Sequence, residues 1–273
     1  MDERLAGVYA KLKRADEHLD ALYAQITAFV DDQPYGMFPD FDPHAGEHLL
    51  RVDVRRQTPI EWSVLVGDFL HNARSALDHL TWQLVRYGPK GLPDKEGTRR
   101  QVRFPIALTD GDFDGMVVLQ YLGEEVVRAL RDIQPYTRGD RAKARFHPLA
   151  TLDGLWNTDK HRLLHTSTAT TGDESPEITI DGPSELPGVW ADYLVNAPVE
   201  QGTPIMKFRI SPLVVGTYSA AWGVHIWHEP NVKVKGGFSV DVAFGDRRLR
   251  LKHLRELGSA TGMTVGHFAA FLP

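Results

Sequence analysis

The sequence predicts an α+β protein: a helical bundle of about four helices over residues 1–165, then a small antiparallel β-rich portion with a C-terminal helix over 166–273. Three observations carry this. An apolar seam runs through the first 31 residues, a second helical stretch is punctuated at both ends, and from Thr166 the chain turns to short alternating segments separated by turn residues. Helices followed by strands and one closing helix is the order of an α+β chain, since alternating βα units would be needed for a parallel sheet. The two portions are expected to pack as one unit.

Leu5, Val8, Leu12, Ala15, Leu19, Leu22, Ile26 and Phe29 alternate in spacings of three and four, the seam of a helix packed lengthwise on other helices. Residues 31–48 carry several prolines, glycines and aspartates, and no regular element is expected there. Thr58-Pro59 reads as an N-cap and first helical position, with Glu61 in the first turn, and Gly88-Pro89 as the stop after about Tyr87. Residues 88–112 read as a connection with a short extended piece, Val102 to Ile106. Helical signal returns over 123–134 until Pro135, and again from Pro148 to about His165. Val232 and Val234 before Lys235-Gly236-Gly237, with Phe238, Val240, Val242 and Phe244 after it, predict a hairpin. A closing helix over about 247–271 would use Leu254, Leu257, Thr261, Thr264, Phe268 and Phe271 as its inner face.

Composition narrows the chemistry. The 273 residues include 31 basic and 36 acidic side chains, a formal charge of -5, which gives no electrostatic footprint for duplex DNA. With no cysteine there is no disulfide, thiolate zinc site, iron–sulfur cluster or cysteine nucleophile. The first twenty residues are charged and lack an apolar core, and no stretch nears the roughly 18 apolar residues of a membrane span, so a cytoplasmic protein without membrane contact is expected. Neither a Gly-rich phosphate loop nor a G-x-S-x-G elbow occurs, and no cofactor is expected.

The second helix has an unusual polar face. Phe69, Leu70, Ala73, Ala76, Leu77, Leu80 and Leu84 form its apolar arc; Asp68, His71, Asn72, Ser75, Asp78, His79 and Trp82 lie opposite, with Arg74 at the edge. A solvated helix face favours lysine and glutamate, and this one has neither between Asp68 and Trp82. Short side chains that hydrogen-bond and titrate point to a partly buried network or a site; a network that fixes helix packing is the structural alternative.

The second constellation lies in residues 147–165. Leu149, Leu152, Leu155, Trp156 and Leu163 define its apolar arc, and Asp159 falls inside it. A carboxylate on a buried face needs a cation or several donors. Arg74 and His79 are the expected suppliers, whether for catalysis or as a structural salt bridge. Asn157 and His161 share a neighbouring face, with Lys160 between the arcs.

The segments His71-Asn72-Ala73-Arg74-Ser75-Ala76-Leu77-Asp78-His79-Leu80 and Asn157-Thr158-Asp159-Lys160-His161-Arg162 resemble the hallmark stretches of an uncharacterised bacterial, largely actinobacterial family, together with the Phe104-Pro105-Ile106 and Gln134-Pro135-Tyr136 turns. That resemblance implies no activity. A second one does: Arg74-Ser75-Ala76-Leu77-Asp78-His79 resembles the Arg-polar-x-x-x-His motif of HEPN domains, helical units of metal-independent ribonucleases that place the motif at a dimer interface. It implies that Arg74 stabilises the phosphorane, that His79 is the general acid or base, and that Ser75 matches the polar position. Asp78 and Asp159 would complete the catalytic group, with Asn72, Ser75, Asn157, Lys160 and His161 holding substrate. RNA and a homodimer are the implied partners. In an ideal helix Arg74 and His79 lie about 140° apart, so their convergence would require a second chain or a distortion. Arg138, Arg141, Lys143 and Arg145 form a local basic run that could hold RNA.

Two other readings remain. His161 and His165 stand at the i, i+4 spacing of a helical zinc pair, with Asp78, His79 and Asp159 as further ligands, although the glutamate of a His-Glu-x-x-His site is missing. His225 and His228 have no recognisable partner. The third reading is a non-catalytic helical binding module, dimeric if the N-terminal seam pairs between chains.

Overall fold

A computed structural model describes residues 2–42, 44–45, 47–162, 164, 166–170, 177–181, 189–193, 199–210, 216–219, 224–227, 231–235, 240–244 and 249–272. The protein is α+β. It divides into two units, each assembled from separate stretches of chain: Met1–Thr27, Pro59–Thr166 and Phe244–Pro273 form the first, Ala28–Thr58 and Ser167–Ala243 the second. Cutting the sequence at 165 is therefore coarser than the division in space. The closing helix belongs with the earlier helices, and residues 28–58 belong with the strands.

The first unit contains α1 (Ala6–Asp31, its last turn assigned to the second unit), α2 (Glu61–Arg86), the short α3 (Glu96–Arg99) and α4 (Asp110–Asp114), α5 (Glu124–Asp132), the one-turn α6 (Arg141–Ala144), α7 (Pro148–Asp159) and α8 (Leu251–Ala269). Seven of the eight seam residues of α1 are buried within the chain, Leu12 being half-buried. The seam is thus covered by the protein itself and offers no surface to a second copy. Every residue of the expected apolar arc of α2 is also buried. Helix α2 begins at Glu61 without a side-chain cap, three residues after Thr58.

Around α2 pack α7 and α8. Helix α8 turns in Leu254, Leu257, Thr261, Val265 and Phe268, with Val265 rather than Thr264 completing the stripe. Phe268 meets Phe104 edge-on at 6.1 Å, which brings the 102–106 connection onto the core. That connection, expected to hold a short extended piece, carries no regular secondary structure. Helix α7 ends at Asp159, earlier than His165, and the Ser63 hydroxyl donates to the Leu164 carbonyl at 2.6 Å, fixing the chain just beyond it.

The second unit corrects the reading of 31–48. Strands β1 (Tyr35–Asp42) and β2 (Glu47–Val54) form an antiparallel pair, Tyr35 opposite Val54 and Asp42 opposite Glu47. Later strands in the chain are β3 (Thr166–Thr170), β4 (Glu177–Asp181), β5 (Val189–Tyr193), β6 (Pro204–Ile210), β7 (Gly216–Ser219), β8 (Val224–Trp227), β9 (Asn231–Lys235), β10 (Val240–Phe244) and β11 (Leu249–Arg250). The larger sheet has the order β1-β2-β6-β5. Strand β1 is an edge, where Pro39 costs no ladder bond that a central strand would need. Burial of Leu49, Leu50, Val52, Ile205 and Met206 outweighs the turn-forming residues of the stretch. The expected 232–244 hairpin is also corrected. Among the described residues β9 pairs with β4, and β10 lies beside β3; residues 236–239 lie outside them.

Candidate functional site

The polar face of α2 is tied inward. Arg74 is 4% exposed, so its charge needs partners that water cannot supply. Its Nη1 donates to Asp78 Oδ1 at 2.5 Å, one turn along the helix. Its Nε donates to Asp153 Oδ1 on α7 at 3.1 Å, and its Nη2 to the Phe104 carbonyl at 3.1 Å. The Trp156 ring lies 5.4 Å from the guanidinium carbon. Asp78 Oδ1 also accepts the Phe104 amide at 2.8 Å, and Asp153 Oδ2 accepts the Asn157 amide at 3.1 Å. One planar fork thereby joins α2, α7 and the 102–106 connection, a task suited to the fixed geometry of arginine. Burial raises the Asp78 carboxyl above the ordinary aspartate range, while Arg74 and the Phe104 amide pull it down.

Gln134 continues the same scaffold. It is fully buried; its Oε1 accepts the Ala107 amide at 2.8 Å, and its Nε2 donates to the carbonyls of Pro105 and Leu130 at 3.0 Å each. The Phe104-Pro105-Ile106 and Gln134-Pro135-Tyr136 turns thus meet through hydrogen bonds, and the first of them also meets Arg74.

Asp159 lies elsewhere. A Cβ built on Gly67 would stand 2.6 and 2.7 Å from its two carboxylate oxygens, so the carboxylate sits close against α2 at Gly67 and would have to shift for a side chain there. Gly67 precedes His79 by twelve residues, about 18 Å along the axis, so Asp159 and His79 share no site of hydrogen-bonding reach. The cation expected for Asp159 is engaged with Asp78 and Asp153 instead. Asp153 is the residue the sequence reading missed: its partner lies 79 positions away, and nothing local marks it.

The remaining candidates are placed as follows. Asn72 is buried, donating to the Asp68 carbonyl at 2.8 Å and accepting from Lys11 at 3.2 Å. Ser75 is half-buried, with its hydroxyl 3.5 Å from His71 Nε2. Lys160 stands over the Trp156 ring, 3.0 Å from its centroid; burial, then the Arg103 charge, hold its ammonium below the ordinary lysine value. Asn157, His161 and His79 are exposed. Among the described residues no group of three or more His, Asp or Glu side chains is placed to hold a metal; His165 and His228 lie outside them. No helix among the described residues is long and apolar enough to cross a membrane.

Beside the Arg74 network, Asp78, His79, Trp82, Gln83 and Val102 line an open cleft of about 420 Å³. Among the described residues Gln83 Oε1 is buried without a hydrogen-bond partner. On the other side of Phe104, Arg74, Arg103 and Asp153 border a second cleft of about 360 Å³.

Asp159 gives the stability of the fold a pH dependence. Burial, then the Asp68 carboxylate, hold its carboxyl above the ordinary aspartate range, with His71 pulling the other way. The folded chain then keeps this proton at pH values where the unfolded chain has released it, so stability falls as pH rises from about 4 upward through the raised value. Asp159→Asn should remove that part of the slope when urea midpoints are compared between about pH 4 and pH 6. An unchanged slope would show that burial does not hold this proton.

No family model, curated protein or solved structure matches the chain.

Proposed function

We propose that the protein works by binding, as a non-catalytic helical module, and that the cleft at Asp78, His79, Trp82, Gln83 and Val102 is its ligand seat. One observation carries this reading: each of the three nitrogens of the Arg74 guanidinium already donates within the fold, to Asp153, Asp78 and the Phe104 carbonyl. To stabilise a phosphorane, Arg74 would have to leave two carboxylates and expose them unpaired, at a cost of several kcal/mol. The cleft is lined by the Trp82 ring, the Asp78 carboxylate and Gln83, whose buried Oε1 has no hydrogen-bond partner among the described residues, a set suited to a ligand that donates hydrogen bonds.

The test is incubation of the purified chain with single-stranded RNA in EDTA. The expected result is no cleavage, with wild type and His79→Ala alike. Cleavage that disappears in His79→Ala, at an unchanged melting temperature, would overturn the reading in favour of a HEPN-like, metal-independent ribonuclease.

A further inference from the structure

A separate cleft lies where the basic run meets the start of α7. Arg138, Lys143, Phe146, His147 and Pro148 line it, and its volume is about 340 Å³. The 3-10 turn Pro135–Arg138 is followed by Gly139 at φ 106°, a backbone conformation that L side chains rarely adopt; there the chain reverses into α6. Among the described residues no carboxylate lines the cleft. Asp140 sits 3.8 Å from the Lys143 ammonium, and both are well exposed, so this pair is weak and readily exchanged for a stronger anion.

Two features define what the cleft would hold. Phe146 is 77% exposed, the greatest exposure of any large apolar side chain described, and a flat aromatic face left in water at the rim of a basic cleft is a stacking platform. His147 is fixed by its role at the start of α7: its Nδ1 accepts the Leu149 amide at 3.2 Å. Burial, then the Arg138 charge, lower its imidazole below the ordinary histidine value, so it is neutral at pH 7. With Nδ1 accepting, the proton sits on Nε2, which makes that atom a donor. Arginine, ammonium and imidazole N–H supply donors only, and the one aromatic face completes a set for a planar ring joined to a phosphate.

We propose that this cleft binds a nucleoside monophosphate, its phosphate on Arg138 and Lys143 and its base stacked on Phe146. One platform and two cations, Lys143 only weakly paired with Asp140, match a single nucleotide unit, and the chain's charge of -5 opposes a polyanion. The site is separate from the cleft at His79, so it stands or falls independently of that reading.

Isothermal titration of the full chain at low salt tests it, with AMP, adenosine and ribose 5-phosphate as probes. AMP should bind saturably and more tightly than either fragment. Phe146→Ala should weaken AMP about tenfold, to the level of ribose 5-phosphate, and leave the melting temperature unchanged because the ring packs on little. Arg138→Ala with Lys143→Ala should weaken AMP at least about tenfold and leave adenosine unchanged. The proposal fails if AMP gives no saturable heat up to millimolar concentration, or if AMP binding survives both variants. It also fails if a single-stranded oligonucleotide binds with affinity that climbs with its length, or if phosphatidylserine vesicles capture the protein through Phe146 while AMP does not bind.

Discussion

Arg74→Ala is expected to lower the stability of the helical unit by about 3 kcal/mol, the cost of leaving two half-buried carboxylates and a buried carbonyl without their donor. Asp78 and Asp153 would lose their shared partner, and the Phe104 carbonyl its donor. The melting temperature should drop by roughly 10 °C. Arg74→Lys should recover only a fraction, because an ammonium cannot present the planar fork that meets three acceptors on two helices and a connection. The double variant Arg74→Ala with Asp78→Ala should be less damaged than the sum of the two singles, since it removes the stranded charge along with the cation. Urea unfolding followed by far-ultraviolet circular dichroism measures all of these. A loss under about 1 kcal/mol in Arg74→Ala would mean that water replaces the guanidinium, and the network would not then be what joins α2 to α7.

Gln134→Leu should cost about 3 kcal/mol with little change in side-chain volume, because it strands one amide and two carbonyls in a site that water does not reach. Gln134→Glu offers no rescue. It keeps an acceptor for the Ala107 amide but turns a carboxylate oxygen toward the Pro105 and Leu130 carbonyls, where a donor is required. The decisive measurement is hydrogen exchange at the Ala107 amide, which should accelerate in Gln134→Leu well before the chain unfolds. Unchanged protection there would show that the turn holds without this side chain.

What the sequence made legible follows from how far each signal reaches. The α1 seam and the apolar arc of α2 were readable because helical periodicity is local and repeats along the chain. The β1–β2 pair was not, because the prolines and aspartates of 31–48 are local turn signals, whereas the burial that draws Leu49, Leu50 and Val52 into a sheet comes from β6, some 150 residues away. The polar face of α2 was legible as an anomaly: Asn72 and Asp78 are short, poor helix formers where a solvated face favours lysine and glutamate, and both are engaged in the fold, as is Arg74. Their partners were not legible. Asp153 lies in the middle of α7 with no motif to single it out, and Gln134 stood out only as part of a turn before a helix-stopping proline, with no partner indicated. Both gain their meaning from contacts that exist only once the helices have met.

The fit of Asp159 on Gly67 restricts which sequences this fold can share. A methyl group at 67 would force the Asp159 carboxylate to shift, and a smaller residue at 159 would leave a gap beside α2 that a side chain at 67 could fill. The two positions are therefore coupled: hydrogen opposite carboxylate, or side chain opposite a small residue, leaves neither side displaced. Relatives that keep this helix crossing should change both together or neither.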